Sequence, residues 1–270
     1  MRREHVSFSV LTRRPSSGWV WLIAAVVAVA ATLACGAPAD RTPSSSVDTS
    51  DAPPPRIDEA VPSPNEGPPP DPSEGRIVVL GDSLTAGLGL ASVAESFPSV
   101  LQERLGAKGL KYQVVNAGVS GDTSAGGVAR LRTALGDNDG GVRVLVLALG
   151  ANDGLRGLPV EQMKQNLAAI IERAQARAIT VILAGMEAPP NYGVQYTAEF
   201  RAAFPALAAQ YRLRLVPFLL EGVAGHPALN QRDGIHPTAE GARIVADNVG
   251  KALEPALERR SSRRSGTPGS

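Results

Sequence analysis

Ser83 ends the stretch Ile77-Val78-Val79-Leu80-Gly81-Asp82-Ser83, where bulky apolar residues give way to two polar ones. Four apolar residues in a row, three of them β-branched, suit a strand covered on both faces. Ser83 would then stand just past the carboxyl end of that strand, the edge of a parallel sheet where ligands bind. A serine hydroxyl is a weak nucleophile and needs a base within hydrogen-bond reach. A serine after a strand also serves commonly as the N-cap of the following helix. The chain offers three histidines, His5, His226 and His236. His5 precedes an apolar run near the start, whereas His226 and His236 both follow the last expected strand. Asp233-Gly234-Ile235-His236-Pro237 favours His236, because a carboxylate three residues upstream can bind one imidazole nitrogen and leave the other for Ser83. In the competing reading Asp233 caps the final helix and His236 is incidental; His226 has only Glu221 nearby in sequence. Gly121 and Asn152 follow the second and third expected strands and could supply a backbone N–H and a side-chain amide to an oxyanion. Each alone also suits an ordinary turn. Together, the parts needed for acyl transfer fall on successive loops of one sheet edge.

The elements that must carry these residues alternate regularly. Strands are expected at residues 77–80, 112–115, 142–149, 179–183 and 213–218. Between them, helical spacing is seen over residues 97–109, around Val128, Leu131 and Leu135, through Met163, Leu167, Ile170, Ile171 and Ala174, and at Phe200, Phe204 and Leu207. Residues 137–141 break the pattern, and residues 185–196 form a long loop. A last helix follows His236, with Pro237 in its first turn and Ile244, Val245, Val249 and Leu253 facing inward. Five strands with crossover-length helices between them predict an α/β fold with a parallel sheet and helices on both faces.

Gly81-Asp82-Ser83-Leu84, Gly121-Asp122-Thr123, Gly150-Ala151-Asn152-Asp153 and Asp233-Gly234-Ile235-His236-Pro237 resemble the four ordered blocks of the SGNH (GDSL) hydrolase superfamily. Ser120-Gly121-Asp122-Thr123-Ser124, the run from Asn152 to Gly157 and Asn191-Tyr192-Gly193 are similar to its thioesterase I/arylesterase/lysophospholipase branch. The resemblance spans residues 77–257. It implies a three-layer α/β/α flavodoxin-like fold with a five-stranded parallel sheet. It further implies Ser83 as nucleophile, His236 as base, Asp233 as orienting acid, and an oxyanion hole from Ser83 N–H, Gly121 and Asn152. Met186-Glu187-Ala188-Pro189-Pro190 departs from the Met-Pro run usual before Asn-Tyr-Gly. The segment 155–159 and the loop 185–196 should flank the site, with Leu155, Arg156, Pro190 and Tyr192 close to substrate.

The ends of the chain read differently. Arg2, Arg3, Arg13 and Arg14 precede an apolar run at residues 19–33, and Ala34-Cys35-Gly36 follows, the order of a secretory signal. Thr32-Leu33-Ala34-Cys35 resembles a bacterial lipobox, so residues 1–35 are expected to be a signal peptide with Cys35 as the lipidated residue; an ordinary signal or an uncleaved anchor are the alternatives. Cys35 is the single cysteine, which excludes an intrachain disulfide. Residues 36–75 are rich in Pro, Ser and acids, and should form a disordered tether reaching roughly 35 Å as a coil and about 120 Å when extended. Residues 76–258 are the hydrolase domain, and residues 259–270 a basic, disordered tail.

Hydrophobic content of 43% and charged content of 20% are those of a globular protein. Residues 76–258 hold 17 Lys/Arg and 17 Asp/Glu, a balance that gives no reason to expect a nucleic-acid partner. The absence of Gly-x-Ser-x-Gly around Ser83 argues against an α/β-hydrolase elbow, and the lack of Gly-Lys-Ser/Thr after Gly81 or Gly87 argues against a phosphate loop. With no second cysteine and no histidine pair at ligand spacing, neither a metal nor another cofactor is expected. The expected activity is hydrolysis of acyl esters or thioesters through a Ser-His-Asp triad and an acyl-enzyme, by a monomer anchored to a membrane and facing the periplasm or cell exterior. The rivals are a carbohydrate O-acetylesterase of the cell envelope and an inactive binding domain.

Overall fold

The computed structural model describes residues 75–136 and 141–265, with side chains as far as residue 257. The signal segment with Cys35, the tether and residues 137–140 lie outside the described residues.

Five parallel strands form one sheet: β1 (Gly75–Gly81), β2 (Tyr112–Gly118), β3 (Val142–Ala148), β4 (Thr180–Ala184) and β5 (Arg214–Val216), in the order β2-β1-β3-β4-β5. This is the flavodoxin-like order, in which the chain reverses direction across the sheet between β1 and β3. Ile77 to Leu80 of β1 and Val144 to Leu147 of β3 are 0% exposed, as unbroken apolar runs in central strands require. Each strand but the last feeds a helix that returns to the amino edge: α2 (Phe97–Ala107), α3 (Ser124–Leu135), α5 (Val160–Ala176) and α6 (Val194–Tyr211). The last helix, α7 (Ala239–Ser265), packs against α2, while α3 packs on α5 and α5 on α6. Right-handed crossovers explain this partition, because the chain moves one way across the sheet through α2 and the other way through α3, α5 and α6. Two short helices, α1 (Ser83–Ala86) and α4 (Ala151–Leu155), lie directly after β1 and β3.

The apolar stripe of α5 behaves as its spacing predicts: Met163, Leu167, Ile170, Ile171 and Ala174 are all at most 1% exposed. Burying a side chain of the leucine, isoleucine or methionine kind contributes about 1.5–3 kcal/mol. Other boundaries shift for local reasons. β2 continues to Gly118, and β5 stops at Val216 because Pro217 has no N–H to donate to a ladder. α6 starts at Val194, inside the stretch expected to be loop. α7 begins at Ala239 rather than around Pro237, with Thr238 Oγ1 accepting the Gly241 N–H at 3.3 Å as its cap. The backbone of α7 also runs to Ser265, past residue 259 where the disordered tail was expected to begin. No Gly or Pro interrupts residues 256–265. Residues 266–270 lie outside the described residues.

Candidate functional site

Ser83 is the first residue of α1, at the carboxyl end of β1, and the capping role open to it is filled by its neighbour. Asp82 Oδ1 accepts the Leu84 N–H at 3.0 Å. The Ser83 hydroxyl faces across the sheet edge instead, with its Oγ 2.8 Å from His236 Nε2. His236 Nδ1 lies 2.7 Å from Asp233 Oδ2. Asp233 is therefore not the cap of α7. Its Oδ1 accepts the backbone N–H groups of Ile235 at 2.9 Å and His236 at 3.0 Å, which closes a tight turn and aims Oδ2 at the ring.

These three bonds to Asp233, the two backbone donors foremost, pull its carboxyl down to about 2. An ionised carboxylate only accepts, so the proton between the two side chains belongs on Nδ1 and leaves Nε2 to accept from the Ser83 hydroxyl. The imidazole is mostly buried and the Asp233 side chain is 45% exposed, so the acid stands at the water-facing end of the chain of bonds. His226 is exposed and takes no part in this chain; its carbonyl accepts from Asn230 Nδ2 at 2.9 Å.

The oxyanion candidates arrive on neighbouring loops. Gly121 adopts φ +79°, a conformation that an L side chain rarely takes, in the turn between β2 and α3. Among the hydrogen bonds of the described residues, neither the Gly121 nor the Ser83 N–H has an acceptor. Asn152, in α4, directs its Nδ2 to the Asp122 carbonyl at 2.9 Å, with a longer contact of 3.3 Å to Asp82 Oδ2. One amide hydrogen is thus well fixed and the other only loosely held. Asp82 is 1% exposed, and burial pushes its carboxyl up to about 6.

Beside Ser83 and His236 opens a cavity of about 420 Å³, walled largely by apolar residues including Leu155, Met186, Ala188, Pro190, Phe218 and Leu220. Leu155 and Pro190 line it, whereas Arg156 and Tyr192 are not among its walls and act as braces. Arg156 Nη2 donates to the Gly121 carbonyl at 2.8 Å, and the Tyr192 hydroxyl donates to the Leu155 carbonyl at 2.8 Å. Tyr196 adds a bond to the Leu158 carbonyl, also 2.8 Å. Tyr192, Tyr196, Phe200 and Phe204 follow one another with ring centroids 5.4, 6.2 and 5.5 Å apart, so the loop over the cavity is tied to the core through α6. Exposed large hydrophobic side chains among the described residues include Leu88, Val119, Leu155, Tyr192, Val194 and Ile235, which sit on loops or at helix ends on this same edge. Sequence reasoning missed Phe218 and Leu220 as cavity walls, since neither stands in a motif, and it missed the buried contact of Asp82 with Asn152.

Residues 79–244 match the model of the GDSL-like lipase/acylhydrolase family. Esterase TesA of Pseudomonas aeruginosa is 44% identical over 181 residues, which covers 67% of this chain and 89% of that protein. Thioesterase 1/protease 1/lysophospholipase L1 of Escherichia coli K12 is 37% identical over 181 residues, with 67% and 84% covered. The crystal structure of a psychrotrophic esterase, EstA from a Pseudoalteromonas species, inhibited by monoethylphosphonate, superposes with a TM-score of 0.64 at 32% identity over 68% of this chain and 99% of that one. The chain belongs to the GDSL-like lipase/acylhydrolase (SGNH) family and is a carboxylic ester hydrolase.

Proposed function

We propose that the enzyme hydrolyses acyl esters and thioesters by a two-step transfer through Ser83. The observation that carries this reading is the run of bonds from Asp233 through His236 to Ser83, at 2.7 and 2.8 Å. Neutral His236 takes the Ser83 proton on Nε2 as Oγ bonds to the acyl carbon. The carbonyl electron pair moves to oxygen, which accepts from the Ser83 and Gly121 N–H groups and from Asn152 Nδ2. The intermediate collapses as the bond to the leaving oxygen or sulfur breaks, and His236 returns its proton to the leaving group. Water then repeats the sequence on the acyl-enzyme and frees the acid. Asp233 holds the ring in the productive tautomer and offsets its positive charge while protonated.

The apolar walls of the 420 Å³ cavity favour a hydrocarbon acyl group over a sugar. Curated relatives named esterase and lysophospholipase point the same way. A panel of p-nitrophenyl esters from acetyl to palmitoyl, with an acyl thioester and a lysophospholipid, tests the reading. Activity on medium-length chains is expected; strict preference for acetyl would replace it with the carbohydrate O-acetylesterase reading.

The same proposal includes an address. Thr32-Leu33-Ala34-Cys35 after an apolar run supports export and lipidation at Cys35, which would hold a monomeric enzyme at a membrane facing the periplasm or cell exterior. Incorporation of labelled palmitate that disappears in Cys35→Ser is the expected result. Labelling that survives the substitution would refute lipidation at this residue.

A further inference from the structure

Arg130 lies on α3, seven residues beyond its N-cap Thr123, and outside every motif that marks the site. Its side chain is 22% exposed, and its guanidinium reaches three separate acceptors beneath the site. Nε donates to Asp122 Oδ2 at 2.5 Å, Nη1 to the Ala117 carbonyl at 2.7 Å and Nη2 to the Gly81 carbonyl at 2.7 Å. Gly81 ends β1 and leads through Asp82 to Ser83. Ala117 lies at the end of β2, four residues before Gly121. Asp122 follows Gly121, and its carbonyl is the acceptor that fixes Asn152 Nδ2.

Each of the three candidate oxyanion donors is therefore referred to the same planar cation. We propose that Arg130 is a positioning residue that sets the Ser83 N–H, the Gly121 N–H and the Asn152 amide relative to one another. The inference rests on the oxyanion reading given above. A planar guanidinium can hold two strand-end carbonyls and a carboxylate in fixed directions, because its N–H groups form a rigid fork. A lysine ammonium presents its donors from one atom and cannot span the same three acceptors. The interaction lies behind the donors rather than on substrate, so its loss should act on the transition state more than on binding. A misplacement of about 1 Å can cost about 10²-fold in rate.

The test compares Arg130→Lys, Arg130→Ala, Asn152→Ala and the double variant Arg130→Ala/Asn152→Ala in the full chain. Rates on p-nitrophenyl butyrate are expressed per active site titrated with a fluorophosphonate, so that unfolded protein does not count. Arg130→Lys is expected to lower kcat by about 10²-fold with KM within about threefold. Asn152→Ala should lose about 10²–10³ in kcat, and the double variant should lose little more than the larger single effect, since both act on one donor set. Added ethylguanidinium should restore a large part of the kcat of Arg130→Ala and none of that of Asn152→Ala, a rescue that a merely structural arginine would not show. If Asn152→Ala turns over like the wild type, the oxyanion reading itself falls. If Asn152→Ala is impaired while Arg130→Lys keeps wild-type kcat, or the two losses multiply in the double variant, the role of Arg130 is overturned.

Discussion

Replacing Asp233 by asparagine changes one atom at the far end of the Ser83–His236–Asp233 chain, and the structure fixes what that atom would do. The amide oxygen keeps the position of Oδ1, because the Ile235 and His236 N–H groups at 2.9 and 3.0 Å need an acceptor there. The amide NH₂ then falls in the place of Oδ2, 2.7 Å from Nδ1. Nδ1 must accept, so the ring proton moves to Nε2 and faces Ser83, where the imidazole can no longer serve as a base. Reversing the tautomer sets donor against donor and costs roughly 1–3 kcal/mol. The imidazolium formed during attack also loses its counter-charge. At about 4 Å, with an effective dielectric between 20 and 80 for a carboxylate this exposed, that loss is roughly 1–4 kcal/mol. Together they amount to roughly 4 kcal/mol, or about 10³ in kcat. The equivalent change in a serine protease, where the acid is buried, costs about 10⁴. The assay is steady-state hydrolysis of p-nitrophenyl butyrate at pH 7 with thermal melting alongside. A variant that melts like the wild type and retains more than a tenth of its kcat would refute the tautomer argument.

Two further changes probe the ground beneath Ser83. Burial raises the Asp82 carboxyl from 3.8 to about 6, so its contribution to stability is complete below pH 3.8 and is lost as pH rises through 6. At 1.36 kcal/mol per pH unit the loss is roughly 3 kcal/mol. Asp82→Asn cannot titrate, so urea unfolding should show this variant gaining on the wild type between pH 4 and pH 7.5; parallel profiles would contradict the assignment. A Cβ at Gly118 would lie 2.2 Å from the backbone nitrogen of Ala86, on the helix that begins with Ser83. Gly118→Ala should therefore lower both the melting temperature and kcat, whereas a fully active variant would show that α1 yields without displacing Ser83.

The sheet was legible because its central strands are uninterrupted apolar runs, and those runs stay buried on both faces whatever surrounds them. The Asp233-x-x-His236 spacing was legible for a local reason, since a turn of that length brings the carboxylate back to the imidazole. Boundaries set by long-range contacts were not. The start of α6 was hidden because Tyr192 and Tyr196 read as loop residues until their hydroxyls are seen to hold the carbonyls of Leu155 and Leu158. Arg156 and Tyr192 hold the carbonyls of Gly121 and Leu155 with their polar ends, bonds that a motif cannot foretell. Arg130 is the extreme case. Its three acceptors come from β1, β2 and the loop after β2, brought together only by the packing of α3 against the sheet edge.

The central claim is that Ser83 carries the acyl group, and the most direct measurement is the site of covalent capture. A fluorophosphonate should add one equivalent to the protein, abolish ester hydrolysis in proportion, and map by peptide mass spectrometry to Ser83. Ser83→Ala should neither take the label nor turn over p-nitrophenyl butyrate. Capture at another residue, or wild-type hydrolysis by Ser83→Ala, would contradict the account.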